Sequence, residues 1–357
     1  MRIALVTDTF YPAVDGATTT LKATADRLIA TGHEVRFIAP GPGLPTYNRS
    51  AVVRVNPLTK PGAQVKQALL DWRPDLVHVT NAGRLSRKAL KHARKQGIPT
   101  LAVQQDAISE VTEEYWRAKV AERADHLVVT APWMVERLAR IGVDAQLWWP
   151  GVDAKAFTPA LRDPWLHSSW SHAKREPKVV IGYVGALTQR HGVRRLAELS
   201  AVRGIRPVLI GEGAQAGWLR GRLPQARFTG ALQGGDLAIA IASLDVLVHP
   251  GEEETCCHTL REAGASGIPV VAPKAGGAAD VVHHLETGLL YDPSQDGALA
   301  DVVGALAADP QRGLMGAHGR ELALQRDWPT AVDELLALVD GSDHPSPYVD
   351  NGNRPVG

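Results

Sequence analysis

Two glutamates eight positions apart carry the strongest chemical signal in this chain. They are Glu254 and Glu262, in the run HPGEEETCCHTLREAGASGIPVVA from His249 to Ala272. An apolar strand at 244–248 leads into this run, and a helix is expected to open at Thr255. Gly267-Ile268-Pro269 then turns the chain into the next strand. On that reading the two carboxylates lie two turns apart along one side. A helix start points free N–H groups and the positive end of its dipole beyond the sheet edge. Carboxylates beside it suit a ligand with both hydroxyls and phosphates. An ordinary strand-helix-strand unit with Glu254 near the N-cap would read the same over this stretch alone.

Other loops that follow strands offer further candidates. Asp15-Gly16 comes after the first strand. A glycine there lets the backbone approach a ligand, or simply makes a turn. Asp106, in Gln104-Gln105-Asp106, could orient an acceptor hydroxyl or offset positive charge on a sugar ring. It could equally N-cap a helix carrying Glu110, Glu113 and Glu114. In 185–192 (GALTQRHG) Arg190 could clamp a diphosphate bidentately, and His191 could donate to a phosphate oxygen. With Arg194 and Arg195 they could also be one exposed basic patch. Gly211-Glu212-Gly213 and Gly276-Gly277, the latter beside Lys274, suit close approach to a nucleotide or plain turns. Cys256-Cys257-His258 is neither a zinc site, since no CxxC exists, nor a nucleophile cluster, since adjacent helical side chains diverge. Helix packing is expected of the cysteines. No GxGxxG or GxxxxGK[ST] loop occurs, so neither a dinucleotide cofactor nor a P-loop is inferred.

These residues need a frame to bring them together. The 357 residues suffice for two domains, each with a core. Strands at 2–6, 34–38, 52–55, 76–79, 100–103, 126–129 and 145–148 alternate with helices such as 18–30 and 132–141. Four prolines, from Pro150 to Pro177 inclusive, break the rhythm, which reads as an interdomain connection. A second series follows, with strands at 179–183, 207–210, 226–229, 244–248, 269–272 and 288–291 and helices at 192–202, 233–242, 256–266 and 296–308. A helix at 329–339 is expected to return to the first domain, and the polar stretch 341–357 reads as a disordered tail. The domains are then 1–160, completed by 328–340, and 178–327. This is the rhythm of open parallel sheets covered on both faces, whose ligands bind beyond the strand C-termini.

Composition removes several classes. Lys+Arg 39 against Asp+Glu 38 gives a net charge of +1 and no general case for nucleic acid. The two cysteines are adjacent and form no disulfide framework. The opening MRIALVTDTF is broken by Asp8 and is too short for a signal peptide, and no later run reaches membrane-span length. A cytoplasmic protein is expected, and nothing specifies its oligomeric state. Lys60, Lys66, Arg84, Arg87, Lys88, Lys91 and Arg94 are basic. The run 86–96 reads as a solvated helix face over Ala89, Leu90 and Ala93, and any contact with a membrane surface would have to come from these bases.

The order of these pieces resembles the retaining, nucleotide-sugar-dependent glycosyltransferases of the GT4-like family. That family includes bacterial phosphatidylinositol mannosyltransferases, sucrose synthases and GDP-mannose-dependent mannosyltransferases. Glu254 and Glu262 match its E-x7-E motif. FYPAVDGATTT, GHEVRFIAPG and VVAPKAGGAADVVHHLETGLLYDP are also similar. The resemblance implies a GT-B fold, α/β, with two Rossmann-like domains facing a central cleft. It implies that Gly16 approaches the donor diphosphate or sugar, Glu254 holds sugar hydroxyls, and Glu262 binds the ribose. The N–H groups of Cys257 and His258 would lie near the diphosphate, and Asp106 beside the reacting carbon. The diphosphate loop departs from the family. Where relatives carry an arginine and, five positions later, a lysine, this chain has Ala186 and His191. Arg190 is the base left to substitute.

The implied activity is metal-independent, retaining transfer from a GDP- or UDP-sugar to a hydroxyl or amine of a small molecule. No other cofactor is implied. A segment between Pro45 and Pro74 shorter than in relatives fits a small, soluble acceptor, and a composition suited to a GC-rich genome fits a natural-product or a glycolipid pathway, with natural-product tailoring favoured. The alternatives are altered coupling chemistry on the same fold, a non-catalytic nucleotide-binding partner, or an epimerase using Asp106 and His258.

Overall fold

The structure is a computed structural model that describes residues 1–11, 15–108, 112–172 and 176–340. The expected tail at 341–357, Glu110, and part of the FYPAVDG stretch lie outside the described residues. Strands β1 (Arg2–Thr7), β2 (Glu34–Pro40), β3 (Thr46–Tyr47), β4 (Ser50–Val55), β5 (Leu76–Thr80), β6 (Thr100–Gln104), β7 (His126–Val129) and β8 (Gln146–Leu147) form the first sheet. Its order is β3-β4-β2-β1-β5-β6-β7-β8, with β4, β2, β1, β5 and β6 parallel and β3 antiparallel to β4. The helices interleaved with these strands are α1 (Gly16–Ala30), α2 (Pro61–Trp72), α3 (Arg84–Gln96), α4 (Glu113–Lys119) and α5 (Pro132–Arg140).

The strands of the second sheet are β9 (Val179–Val184), β10 (Ile205–Ile210), β11 (Arg227–Gly230), β12 (Val246–Val248), β13 (Val270–Pro273) and β14 (Gly288–Tyr291). Helices α6 (Pro164–Ser171), α7 (Ala216–Arg222), α8 (Gly234–Ala242), α9 (His258–Ala265), α10 (Ala278–Val281), α11 (Ala298–Ala308), α12 (Arg312–Leu324) and α13 (Trp328–Asp340) complete the chain. The second sheet runs β11-β10-β9-β12-β13-β14, and all its pairs are parallel. Its strand order reverses beside β9, so the loops after β9 and β12 flank a topological switch point. The first sheet reverses in the same way beside β1.

Both strand and helix choices follow from the side chains. All five residues of β5 (LVHVT) and of β6 (TLAVQ) are buried, as strands covered on both faces require. Alternate residues of β9 feed two cores. Val180 and Val184 join Val208, Ile210 and Leu260, while Ile181 and Tyr183 join Leu209, Val248 and Val271. Asp15 starts α1 with a capping box: Thr18 N donates to Asp15 Oδ1 at 2.8 Å and Asp15 N to Thr18 Oγ1 at 3.3 Å.

By contact the chain divides into two compact units. The first holds residues 1–104, α4 and α13; the second holds 105–108 and 129–327. The sequence expectation drew the first domain to residue 160, whereas 129–160 groups by contact with the second unit. In the first unit α13 packs on α1, where Arg27 pairs bidentately with Asp333 at 2.8 and 2.5 Å.

Several local expectations are corrected. The helix expected at 192–202 is a 3-10 segment, Val193–Ala201. The proline-rich connection holds α6, capped by Asp163, whose Oδ1 accepts from Trp165 N at 2.8 Å and Leu166 N at 3.0 Å. Helices α7, α10 and α12 were not expected at all.

Candidate functional site

Most of the expected site residues meet at the switch point of the second unit. The loop after β9 (185–192) and the loop after β12 (249–257) lie side by side there. Gly192, at φ +65°, permits this contact: a Cβ would run into the Pro250 carbonyl. Gly213, at φ +156°, packs instead on the backbone of Leu187. Its missing side chain therefore serves loop against loop. The N–H of Gly277 is also taken, donating to Glu254 O at 2.7 Å.

The helix after β12 starts later than expected. Its first residue is His258, and Cys257 is the N-cap at φ +51°, a left-handed conformation that costs a non-glycine residue about 1–2 kcal/mol. Glu254 therefore lies in the loop, and the two-turn helical spacing to Glu262 does not hold. No side chain caps α9, so its first-turn N–H groups are not spent on a capping side chain. The late start also fixes the cysteines. Both are buried, with Cys256 Sγ 3.4 Å from Thr130 Oγ1 and 3.5 Å from Gln105 Oε1. Burial pushes the Cys256 thiol up to about 11 and that of Cys257 well above its usual value, so neither is a thiolate.

Glu254 is held from two sides through its carbonyl, which accepts from Gly277 N and from Trp133 Nε1 at 3.0 Å. Its carboxylate lies 3.4 Å from His249 Nε2. Burial raises its pKa, but His249, His191 and His258 around it outweigh that, and the net shift is downward. Glu254 is thus a fixed anion ringed by imidazoles. His249 is 6% exposed and was missed as a site residue. The only local signal was a histidine ending a strand.

Glu262, on α9, behaves oppositely. Burial pushes its carboxyl up to about 7, and it makes no hydrogen bond or ion pair among the described residues. Such a carboxyl is a waiting acceptor for ligand hydroxyls. Nearby, Asp280 is raised to about 6 by burial and by Glu136, against the opposing pull of Arg261.

His191 accepts from or donates to Thr188 Oγ1 at 2.8 Å through Nδ1. Its pKa is lowered, first by burial, then by Arg190 and His249, against Glu254 and Asp106. At neutral pH it offers hydrogen bonds and no charge. Arg190 is 65% exposed, and its Nη2 lies 3.5 Å from Asp106 Oδ1. Sequence reasoning had named both without linking them. The pair is exposed and long, worth at most about 1 kcal/mol, so Arg190 is available to an anion.

Asp106 is not a helix cap, because Thr112 occupies the N-cap of α4. Gln104 and Gln105 are buried. Gln104 Oε1 accepts from Trp116 Nε1 at 3.4 Å, and the Gln105 carbonyl accepts from Thr255 Oγ1. Both side chains are packed into the fold. Gly16 belongs to the first unit, where it is the first residue of α1 and is exposed to solvent.

Among the described residues no group of three or more His, Cys, Asp or Glu side chains converges to hold a metal. Among them, too, no helix is long and apolar enough to cross a membrane.

Two family profiles match the chain: "Glycosyltransferase Family 4" over residues 14–156 and "Glycosyl transferases group 1" over 167–321. The chain is 37% identical to a GDP-mannose-dependent α-mannosyltransferase of Mycolicibacterium smegmatis, over 94% of this chain and 96% of that protein. It is 34% identical to one of Mycobacterium tuberculosis, over 94% and 95%. In fold it is similar to Anabaena Alr3699/HepE in complex with UDP-glucose. The TM-score there is 0.82 at 18% identity, covering 96% of this chain and all of that one.

Proposed function

The chain belongs to glycosyltransferase family 4, a GT-B-fold enzyme that transfers a sugar from a nucleotide-diphosphate donor, and from that premise we propose that it moves mannose from GDP-mannose to an acceptor hydroxyl with retention of configuration. The mannosyl donor is supported by the two mycobacterial relatives. The observation that carries the site reading is the α9 start. It has no side-chain cap, stands at the switch point, and is flanked by one ionised and one poised carboxylate.

The roles follow from this electrostatic layout. The α9 N–H groups at His258 and beyond hold the diphosphate, favoured by the helix dipole. Glu262 accepts from the ribose hydroxyls. Glu254, fixed and anionic, accepts from sugar hydroxyls. The bond from the sugar's anomeric carbon to the β-phosphate oxygen breaks while the acceptor oxygen bonds on the same face. The departing phosphate oxygen takes the acceptor's proton. Arg190 leaves Asp106 to meet the growing phosphate charge, His191 adds a neutral hydrogen bond, and no metal is required. Asp106 then lies beside the reacting carbon. Isothermal titration with GDP, UDP and ADP, followed by turnover of GDP-mannose, tests this reading. It expects GDP to bind tightest and the product linkage to be α. Preference for another nucleotide, or a β product, would overturn it.

Binding without transfer has one observation in its favour: Ala186 and an uncharged His191 leave Arg190 as the one cation of this loop. GDP binding without any loss of GDP-mannose to acceptor or water would support that account.

A further inference from the structure

Trp133 and Gly277 fix the backbone of Glu254 but do not aim its carboxylate. Three imidazoles surround that carboxylate, and they are not equivalent. His191 and His258 are only part-buried, and His191 spends Nδ1 on Thr188 Oγ1 at 2.8 Å. His249 is buried and stands directly after β12. Its N–H donates to Val271 O at 2.8 Å and continues the ladder to β13. The His249 ring is therefore mounted on the sheet, whereas Glu254 rides on the loop.

Neither nitrogen of the His249 ring closes a hydrogen bond among the described residues, and Nε2 lies 3.4 Å from Glu254 Oε1. Burying an imidazole in this state is costly, and packing alone would favour an apolar ring in its place. The chain also keeps room for the pair. A Cβ on Gly251 would come within 2.9 Å of His249 Nε2 and 3.1 Å of Glu254 Oε1. Gly251 is not in the left-handed region, so no turn demands a glycine there. Its missing side chain serves the His249–Glu254 contact.

We infer that His249 is the positioning residue of Glu254: its Nε2 holds Oε1 beside the end of β12 and leaves Oε2 to accept from the sugar hydroxyls. This rests on the reading of Glu254 as the sugar's acceptor and adds how that acceptor is aimed and kept ionised. The Glu254 side chain is 25% exposed, and a carboxylate so short of water takes up a proton unless a partner opposes it. Once protonated, one of its oxygens becomes a donor and the group accepts less well. Facing Glu254 are His249, His191 and His258, the phenol of Tyr183 and the thiols of Cys256 and Cys257. Burial pushes the phenol and both thiols up, so they stay neutral, and the imidazoles are left to hold the anion.

The test is titration calorimetry of the full chain with GDP-mannose and with GDP, from about pH 8 to about pH 5. The ratio of the two affinities isolates the sugar, and GDP binding itself reports folding. In the wild type the ratio should stay nearly constant, because Glu254 remains ionised. In His249→Phe it should fall as pH drops, with the midpoint about 1–2 units higher and a loss of roughly three- to tenfold at about pH 5. His249→Gln, which still offers an N–H, should recover part of the ratio. Neither substitution should lower the ratio further in a Glu254→Gln background. If His249→Phe does not fold, His249→Gln decides the matter, with a loss expected beside Glu254 and none beside Gln. A wild-type ratio and pH course in His249→Phe, a loss equal at every pH that Gln does not relieve, or losses that add to that of Glu254→Gln would each overturn the inference. A wild-type ratio in Glu254→Gln would instead overturn the sugar reading itself, and this inference with it.

Discussion

Glu262→Gln gives the sharpest test of the donor site. The carboxyl is raised from 4.5 to about 7 by burial. That shift corresponds to about 3 kcal/mol disfavouring the charged form, and less in effect because the side chain is not fully enclosed. Ribose hydroxyls donating to the carboxylate would offset much of this cost. The charge-assisted bonds themselves are worth roughly 1–3 kcal/mol. Replacing Glu262 by Gln should therefore weaken GDP about five- to hundredfold. The sign of the pH dependence follows from the same shift. Above about 7 the carboxylate is present, and below it the carboxyl is protonated. Binding that needs the anion is strong above that value and is lost as pH falls through it. Titration calorimetry across neutral pH should show affinity rising with pH in the wild type, and little dependence in Glu262→Gln. Unchanged affinity in a folded Glu262→Gln protein, or a flat wild-type profile, would refute the assignment.

Three further outcomes are expected. Glu254→Gln should cut turnover of GDP-mannose while leaving GDP affinity nearly intact; parallel losses in both, seen by kinetics and calorimetry, would contradict its place on the sugar. Arg190→Ala should lower kcat/KM by roughly ten- to thousandfold, and Ala186→Arg in that background should restore part of it; full activity across neutral pH would move the phosphate clamp elsewhere. His78 is buried in β5, and burial pushes its pKa down to about 4. The unfolded chain takes up this proton near 6.5, so stability is whole above that pH and falls as pH drops toward 4, by up to about 3 kcal/mol. Urea midpoints should follow this course and flatten in His78→Leu; identical slopes in both proteins would disprove it.

The parallel strands were legible because continuous apolar runs such as those of β1, β5 and β9 have few other uses. The motif residues were legible as types, but their geometry was not. Nothing local in TCCH announces a left-handed Cys257, which the surrounding loop imposes, so the helix start was misplaced by three residues and Glu254 with it. Helix α12 (RGLMGAHGRELAL) escaped notice because its three glycines argue against a helix. Packing explains them. Gly316 and Gly319 are buried, and a Cβ on Gly264 of α9 would meet the Gly319 carbonyl at 3.4 Å. Backbone contact between α9 and α12 overrides propensity and fixes the helix that carries Glu262. The Asp106–Arg190 contact joins residues 84 apart, and the ring about Glu254 is assembled by two stretches of chain, His191 from the loop after β9 and His249 and His258 from the run 249–258. Only the folded chain brings such partners together.

A crystal structure of the protein soaked with GDP-mannose bears most directly on the central claim. The diphosphate should lie on the N–H groups at the start of α9, with Glu262 on the ribose hydroxyls and Glu254 on the mannose. A nucleotide bound away from α9, or a ribose that leaves Glu262 untouched, would contradict it.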